Sequence, residues 1–454
     1  MFKTGCATTA RSGPLPALRL TFLPALALTF LALVAPAALR AAPQLRYDTE
    51  YPSIEYSTRE RNDRVAVLRA GIEAGTARVD FNVNGGYLTA LLEALDIPVS
   101  SQMLVFSATS FQGSLVFPER PRAIYFNDDT YVAFVQDSDV LELSAIDPVM
   151  GGVFYTLSQN GRSPPVIVDE SDLCLRCHDS FGLSGGGVPR HLVGSMLPDE
   201  NGMAISHEGW SLTDDRTPLR RRWGGWYVTG THGAQTHRGN VIVTGPAEAS
   251  RIDFAASGNR TDLRDLVDLG PYPTGHSDVV ALMVLEHQIH VQNLITRMNY
   301  DVRTALAAER TRSTNPSDDA APAGDVGRVV ADVGEPLVMA MLLVDEATLG
   351  RSIAGTSGFA EDWVARGPRD RRGRSLRDLD LRRRLFQYPL SYLIYSESFA
   401  SMPDVARQYV YRRLRIVLSG EEDGDRFSHL SNSDRAAILE ILLDTAPEFA
   451  AARD

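Results

Sequence analysis

The chain has 454 residues, 44% of them hydrophobic and 22% charged, which excludes a fibrous or wholly disordered polymer and leaves ample apolar material for a core. A formal net charge of -12 argues against general nucleic-acid binding, which needs a basic footprint. It is compatible with a positively charged protein partner, and equally with charge that only keeps the protein dispersed.

Residues 1–42 have the three-part pattern of a secretory signal. Lys3, Arg11 and Arg19 are followed by the apolar run Leu20 to Leu39 and then by small residues at Ala41 and Ala42. Cleavage there would remove four positive charges (Lys3, Arg11, Arg19, Arg40) and no negative one, leaving a body of about -16. The alternative is a retained anchor, because the run is just long enough to span a bilayer. No later apolar stretch is that long, so a periplasmic or otherwise exported body, soluble after signal cleavage, is expected.

Residues 43–262 form the first expected region. A polar lead-in to about Arg64 is followed by two short helical patterns, Val65 to Gly71 and Tyr87 to Leu95. Short runs rich in Val, Ile, Phe and Tyr come next: Met103 to Phe106, Leu115 to Phe117, Ala123 to Phe126, Tyr131 to Gln136, Val140 to Ile146 and Val153 to Leu157. Asn-Asp-Asp, Asp-Ser-Asp and Asp-Pro punctuation between them predicts a small antiparallel meander. Ser171 is placed to cap a short helix over Cys174 to His178, and Trp226 to Thr229 and Val241 to Val243 read as strands.

Beyond Asp262 the pattern turns helical. Ser277 is placed to cap a helix from Asp278 to about Arg310, making 263–312 a long helix expected to pack near the Cys174 segment; 313–325 is a polar linker. Residues 326–454 contain further helices at Gly327 to Leu349, Asp404 to Leu418 and Asp434 to Asp444, with an aromatic segment from Phe386 to Phe399. The expected class is therefore α+β: a small antiparallel β-rich region before the Cys174 segment, then a mainly helical C-terminal half.

The cysteines are the informative residues. Cys6 leaves with the signal, so both remaining cysteines, Cys174 and Cys177, lie in one C-x-x-C-H pentapeptide ending in His178. Two thioether bonds to a porphyrin need thiols one helical turn apart, and the adjacent imidazole then faces the iron. Cys-x-x-Cys would also suit a dithiol redox pair or half a zinc site, but the neighbouring His and the lack of a second cysteine pair weaken both. One covalent haem c is expected, with His178 as proximal ligand.

The sixth ligand separates an electron carrier from an enzyme with an accessible iron. Met196, Met203, His191, His207, His232 and His237 follow within sixty residues. His232 is the preferred distal residue, as ligand or base, because Gly230 and Gly233 flank its turn and would permit close approach to a planar cofactor; His237 and Met196 compete. Arg221, with Arg220 and Arg222, is a candidate for propionate pairing. Glu286, His287 and His290 share a helical face, with His276 just before it, so a non-haem metal or proton-transfer cluster is geometrically open.

With these residues in view, the chain resembles a family of exported bacterial cytochrome c domain-containing proteins with a single C-x-x-C-H motif, largely uncharacterised. The resemblance runs from about Pro121 to the C-terminus. Its landmarks are Tyr125-Phe126-Asn127-Asp128, Ala145-Ile146-Asp147-Pro148 to Phe154-Tyr155-Thr156-Leu157, Cys174 to His178, Gly225 to His232, Glu286-His287-Gln288 and Tyr392-Leu393-Ile394-Tyr395. It implies haem and export and supplies no substrate. The chain departs from compact single-haem cytochromes in the length on both sides of the motif. Electron transfer with a redox partner protein is the expected function, and a haem peroxidase or oxygenase is the alternative.

Overall fold

The computed structural model describes residues 48–245, 251–314, 326–422 and 424–452. The expected signal, 1–42, and most of the expected linker, 315–325, lie outside the described residues. Two helices come first, α1 (Arg64–Glu73) and α2 (Leu88–Ala94). The Asp63 carboxylate starts α1 by accepting from the Val65 and Ala66 N–H groups at 2.9 and 3.1 Å.

The meander then forms one six-stranded antiparallel sheet in sequence order: β1 (Met103–Val105), β2 (Arg122–Phe126), β3 (Thr130–Phe134), β4 (Val140–Asp147), β5 (Gly151–Ser158) and β6 (Ile167–Asp169). Its turns are set by local side chains. Asn127 Oδ1 accepts from Asp129 and Thr130 N–H, and Asp147 Oδ1 accepts from Val149 and Met150 N–H. β6 lies outside the predicted runs although Val166, Ile167 and Val168 are all β-branched, whereas the run Leu115 to Phe117 makes only a short 3-10 turn (Gly113–Leu115) and a single bridge from Phe117 to Arg120.

Alternation sends the two faces of this sheet into different cores. Leu104, Ala123, Tyr125, Leu143, Val153 and Tyr155 pack with α1 and α2 through Val65, Leu68 and Leu91. Met103, Val105, Phe126 and Ile146 join Trp223, Trp226 and the long C-terminal helices. Covering both faces makes the strands almost continuously buried, which is unusual for an antiparallel sheet.

After β6 come α3 (Ser171–His178), α4 (Phe181–Ser184) and the small ladder β7 (Gly194–Met196) with β8 (Trp210–Leu212). Ser171 does not cap α3. Its hydroxyl accepts from Phe154 N–H at 3.2 Å and so ties the helix to β5. Trp226 to Thr229 and Val241 to Val243 contribute isolated bridges in place of strands.

The helical half comprises α5 (Val279–Thr314), α6 (Val326–Met341), α7 (Phe359–Ala365), α8 (Glu397–Ala400), α9 (Asp404–Ser419), α10 (Asn432–Thr445) and α11 (Pro447–Ala451). Asp278, and not Ser277, starts α5: its Oδ1 accepts from Val280 and Ala281 N–H, while the Ser277 hydroxyl donates to Tyr227 O. Gln288 and Gln292 of α5 donate to the carbonyls of Asn127 and Asp128, pinning the helix to the β2–β3 turn. α6 stops eight residues before the predicted Leu349, because the backbone turns left-handed at Leu343 and Asp345. Sheet residues, α5 and the C-terminal helices thus share one core, and the fold is α+β. Among the described residues no helix is long and apolar enough to cross a membrane.

Candidate functional site

Cys174, Cys177 and His178 lie on α3, which the sheet presents at the protein surface. Cys177 is exposed and Cys174 half-buried. Burial, reinforced by Glu142, Glu170 and Asp169, pushes the Cys174 thiol up to about 12. That is the opposite of a dithiol redox pair, whose attacking cysteine is depressed. The imidazole of His178 packs on the ring of Phe154 from β5, centroids 4.5 Å apart, and its Nδ1 donates to the Arg190 carbonyl at 2.6 Å. This bond sets the tautomer and leaves Nε2 with its lone pair, the state an axial ligand needs. Around the helix, Val166, Val168, Phe181 and Leu183 are exposed apolar side chains, Phe181 to 74%. Two thiols on one turn, an oriented imidazole and this uncovered apolar rim fit a covalently held haem.

His191 lies behind His178, with ring centroids 6.1 Å apart. The Ser144 hydroxyl donates to Val153 O, so His191 Nε2 carries the proton it gives to Ser144 Oγ at 2.5 Å; burial holds the ring neutral, pushed down to about 3. Asn293 of α5 grips the same residue, accepting from its N–H and donating to its carbonyl, and Arg297 donates to Gly186 O. The long helix therefore packs on the segment that follows Cys174 to His178.

The structure does not bring His232 there. The space beside Gly230 is filled by Val279 and the Ala354 carbonyl, and that beside Gly233 by the Arg351 side chain, so neither glycine opens toward a cofactor. His232 is 1% exposed, and its Nε2 accepts from Asn259 N–H at 3.0 Å. It sits by the first turn of α5, whereas His191 meets that helix fourteen residues on, about 21 Å further at 1.5 Å per residue. His237 goes with His232, ring centroids 4.9 Å apart, and lies 5.5 Å from Trp223; burial, then His232, pushes it down to about 3. Met196 is buried in β7 with its side chain against Gly225. Arg221 is exposed, and it is its backbone that engages the fold: the N–H donates to the Pro218 carbonyl and its own carbonyl accepts from Ser195 Oγ. It was Arg222 that mattered: it is buried and pairs with Glu286 at 2.7 Å.

His287 and His290 converge on a partner the sequence did not reveal, while Glu286 on the same helix pairs with Arg222. The Asp215 carboxylate accepts from His287 Nδ1 at 2.6 Å and from His290 Nδ1 at 2.9 Å. Burial alone would raise its carboxyl, but the two imidazole bonds outweigh that and hold it well below the usual range. His287 Nε2 reaches Ser391 Oγ at 2.9 Å, giving the connectivity of a Ser-His-Asp triad. Ser391 is fully buried, however, and its N–H is spent on Met341 O, so it serves as a lock between α5 and the aromatic segment. Burial pushes Glu286 up to about 7 against the opposing charge of Arg222. His276 is half-buried, ahead of α5, and takes no part in these bonds.

Compared with family models, curated proteins and solved structures, the chain matches none of them.

Proposed function

We propose that the mature chain is an exported, periplasmic mono-haem c-type cytochrome-like protein that passes electrons to a redox partner protein. Cys174 and Cys177 would hold the haem and His178 would bind its iron. The observation that carries this reading is the orientation of His178, whose Nδ1–H is committed to the Arg190 carbonyl beside two cysteines on the same helix. Bound there, the haem supplies one-electron chemistry at its iron. The chain's own contribution is positional. β5 anchors α3 through Ser171 and Phe154, the Arg190 carbonyl makes the imidazole a stronger donor, and the apolar rim of Val166, Val168, Phe181 and Leu183 excludes water from whatever lies on it.

A second reading, a haem-dependent peroxidase or oxygenase with an accessible distal iron, is favoured by one observation. The expected sixth ligands His232, His237 and Met196 are buried in other packing. Haem staining of a denaturing gel tests attachment: the wild type should stain and C174A/C177A should not, and a stain that persists in the double variant would sink the proposal. A visible spectrum with and without carbon monoxide separates the two readings. Slow or absent binding to the ferrous protein supports the carrier, and rapid binding supports the enzyme.

A further inference from the structure

The side chains around Asp215 form a donor set that the haem reading leaves unused. Asp214, Asp215 and His290 each offer one ligand atom, and these atoms lie within 4.8 Å of one another. They come from two elements: the loop after β8 supplies the adjacent carboxylates, and the middle of α5 supplies the imidazole. One turn before His290, on the same face, Glu286 is 0% exposed, and its Oε1 has no hydrogen-bond partner. Arg222 shows where that carboxylate lies. The guanidinium donates through one nitrogen to Glu286 Oε2 and through the other to the Asp215 carbonyl, each at 2.7 Å, and so ties that carboxylate to the loop that carries the cluster. A buried, unsatisfied carboxylate oxygen costs free energy unless something occupies it.

We propose that Asp214, Asp215 and His290 form a binding site for one divalent first-row transition ion, separate from the haem segment, with the buried Glu286 carboxylate one turn away on α5. The donor chemistry selects the class. Two carboxylates and an imidazole with no thiolate suit manganese, ferrous iron or zinc, and are poor for soft ions. Charge agrees: three carboxylates face two guanidiniums, Arg216 on Asp214 and Arg222 on Glu286, which leaves negative charge for a dication to neutralise. His290 now spends its Nδ1 proton on Asp215, so ion binding there breaks a hydrogen bond and forms metal–ligand bonds in its place. His287 also hangs on Asp215 and on Ser391, and so would hold the Asp215 carboxylate in orientation from behind. Among the residues near the motif, Asn293, one turn beyond His290, is the link between this site and His191.

The test uses the full chain with its haem attached, stripped with a chelator and then dialysed against manganese or zinc. Metal analysis should give one equivalent of the added ion per chain in addition to haem iron, and the melting temperature should rise on addition. D214N and H290Q should each lose the stoichiometric ion and the thermal shift. Far-UV circular dichroism and the haem stain report folding and the haem reading separately. D214N is the safer variant, since the Asp214 side chain is partly exposed and bonds only to Arg216 nearby. A wild type that takes up neither ion with no thermal shift, or a folded D214N that binds as the wild type does, would overturn the proposal and leave a hydrogen-bonded network only.

Discussion

His237 should make the protein acid-sensitive by a calculable amount. The ring is 1% exposed, its Nδ1 accepts from Gly239 N–H at 3.0 Å, and burial pushes it down to about 3. In the unfolded chain the same group titrates near 6.5. The folded state thus keeps it neutral where the unfolded state takes up a proton, so this stabilisation is fully present above about pH 6.5 and is lost as pH falls toward 3. At pH 5 the unfolded chain gains about 1.5 pKa units of binding, or roughly 2 kcal/mol of lost stability from this one side chain. In H237Q the amide oxygen can still accept from Gly239, and no proton is taken up in either state. Urea unfolding at pH 7.5 and pH 5.0 should show the wild type losing about 2 kcal/mol more than H237Q between the two, other acid-sensitive groups cancelling in the difference. Equal losses would refute a buried neutral His237.

Glu346 should act with the opposite sign. Burial pushes it up to about 8 despite a hydrogen bond from Leu385 N–H, so its contribution is present below about pH 4.5 and is lost as pH rises toward 8. E346Q should be relatively stabilised at pH 7, by at most about 3 kcal/mol, and an unchanged pH slope in thermal melts would count against this. R222M would strand the Glu286 carboxylate and cost about 3–5 kcal/mol in urea unfolding, much of it recovered in R222M/E286L; equal losses in both would argue against a charge effect. G224A would place a Cβ 2.1 Å from the Met196 carbonyl oxygen and force β7 to move. Calorimetry should show about 2–3 kcal/mol of lost stability, and an unchanged melting temperature would mean the loop yields freely. H178A should keep its covalent haem stain while its visible spectrum changes; an unaltered spectrum would remove His178 from the iron.

The local features of the chain were legible because local chemistry sets them. Asn127 and Asp147 close their own turns through Oδ1, so the borders of β2 to β5 follow from the residues between the strands. What failed needed distant partners. Ser171 and Ser277 stand where helix caps belong, yet their hydroxyls meet Phe154 and Tyr227 across the fold. His232 misled because glycines signal that something approaches closely without saying what, and here Val279 and Arg351 do. The helical face of Glu286, His287 and His290 was visible, but Asp215 lies more than seventy residues away in an irregular loop with no periodicity to mark it. Only the Asp-Asp pair at 214–215 hinted at chemistry there.

In a compact cytochrome the porphyrin is itself a large part of the interior, so the chain cannot finish folding without it. Here Cys174, Cys177 and His178 belong to none of the hydrophobic clusters, and of their helix Leu175 leans on one. The sheet between its two cores is complete on protein side chains alone. If the proposed haem is attached at this pentapeptide, neither core is built on that segment, and folding and attachment would be independent events. On that proposal a chain without haem would still fold, and the ratio of loaded to empty molecules would report haem supply and not the stability of the fold.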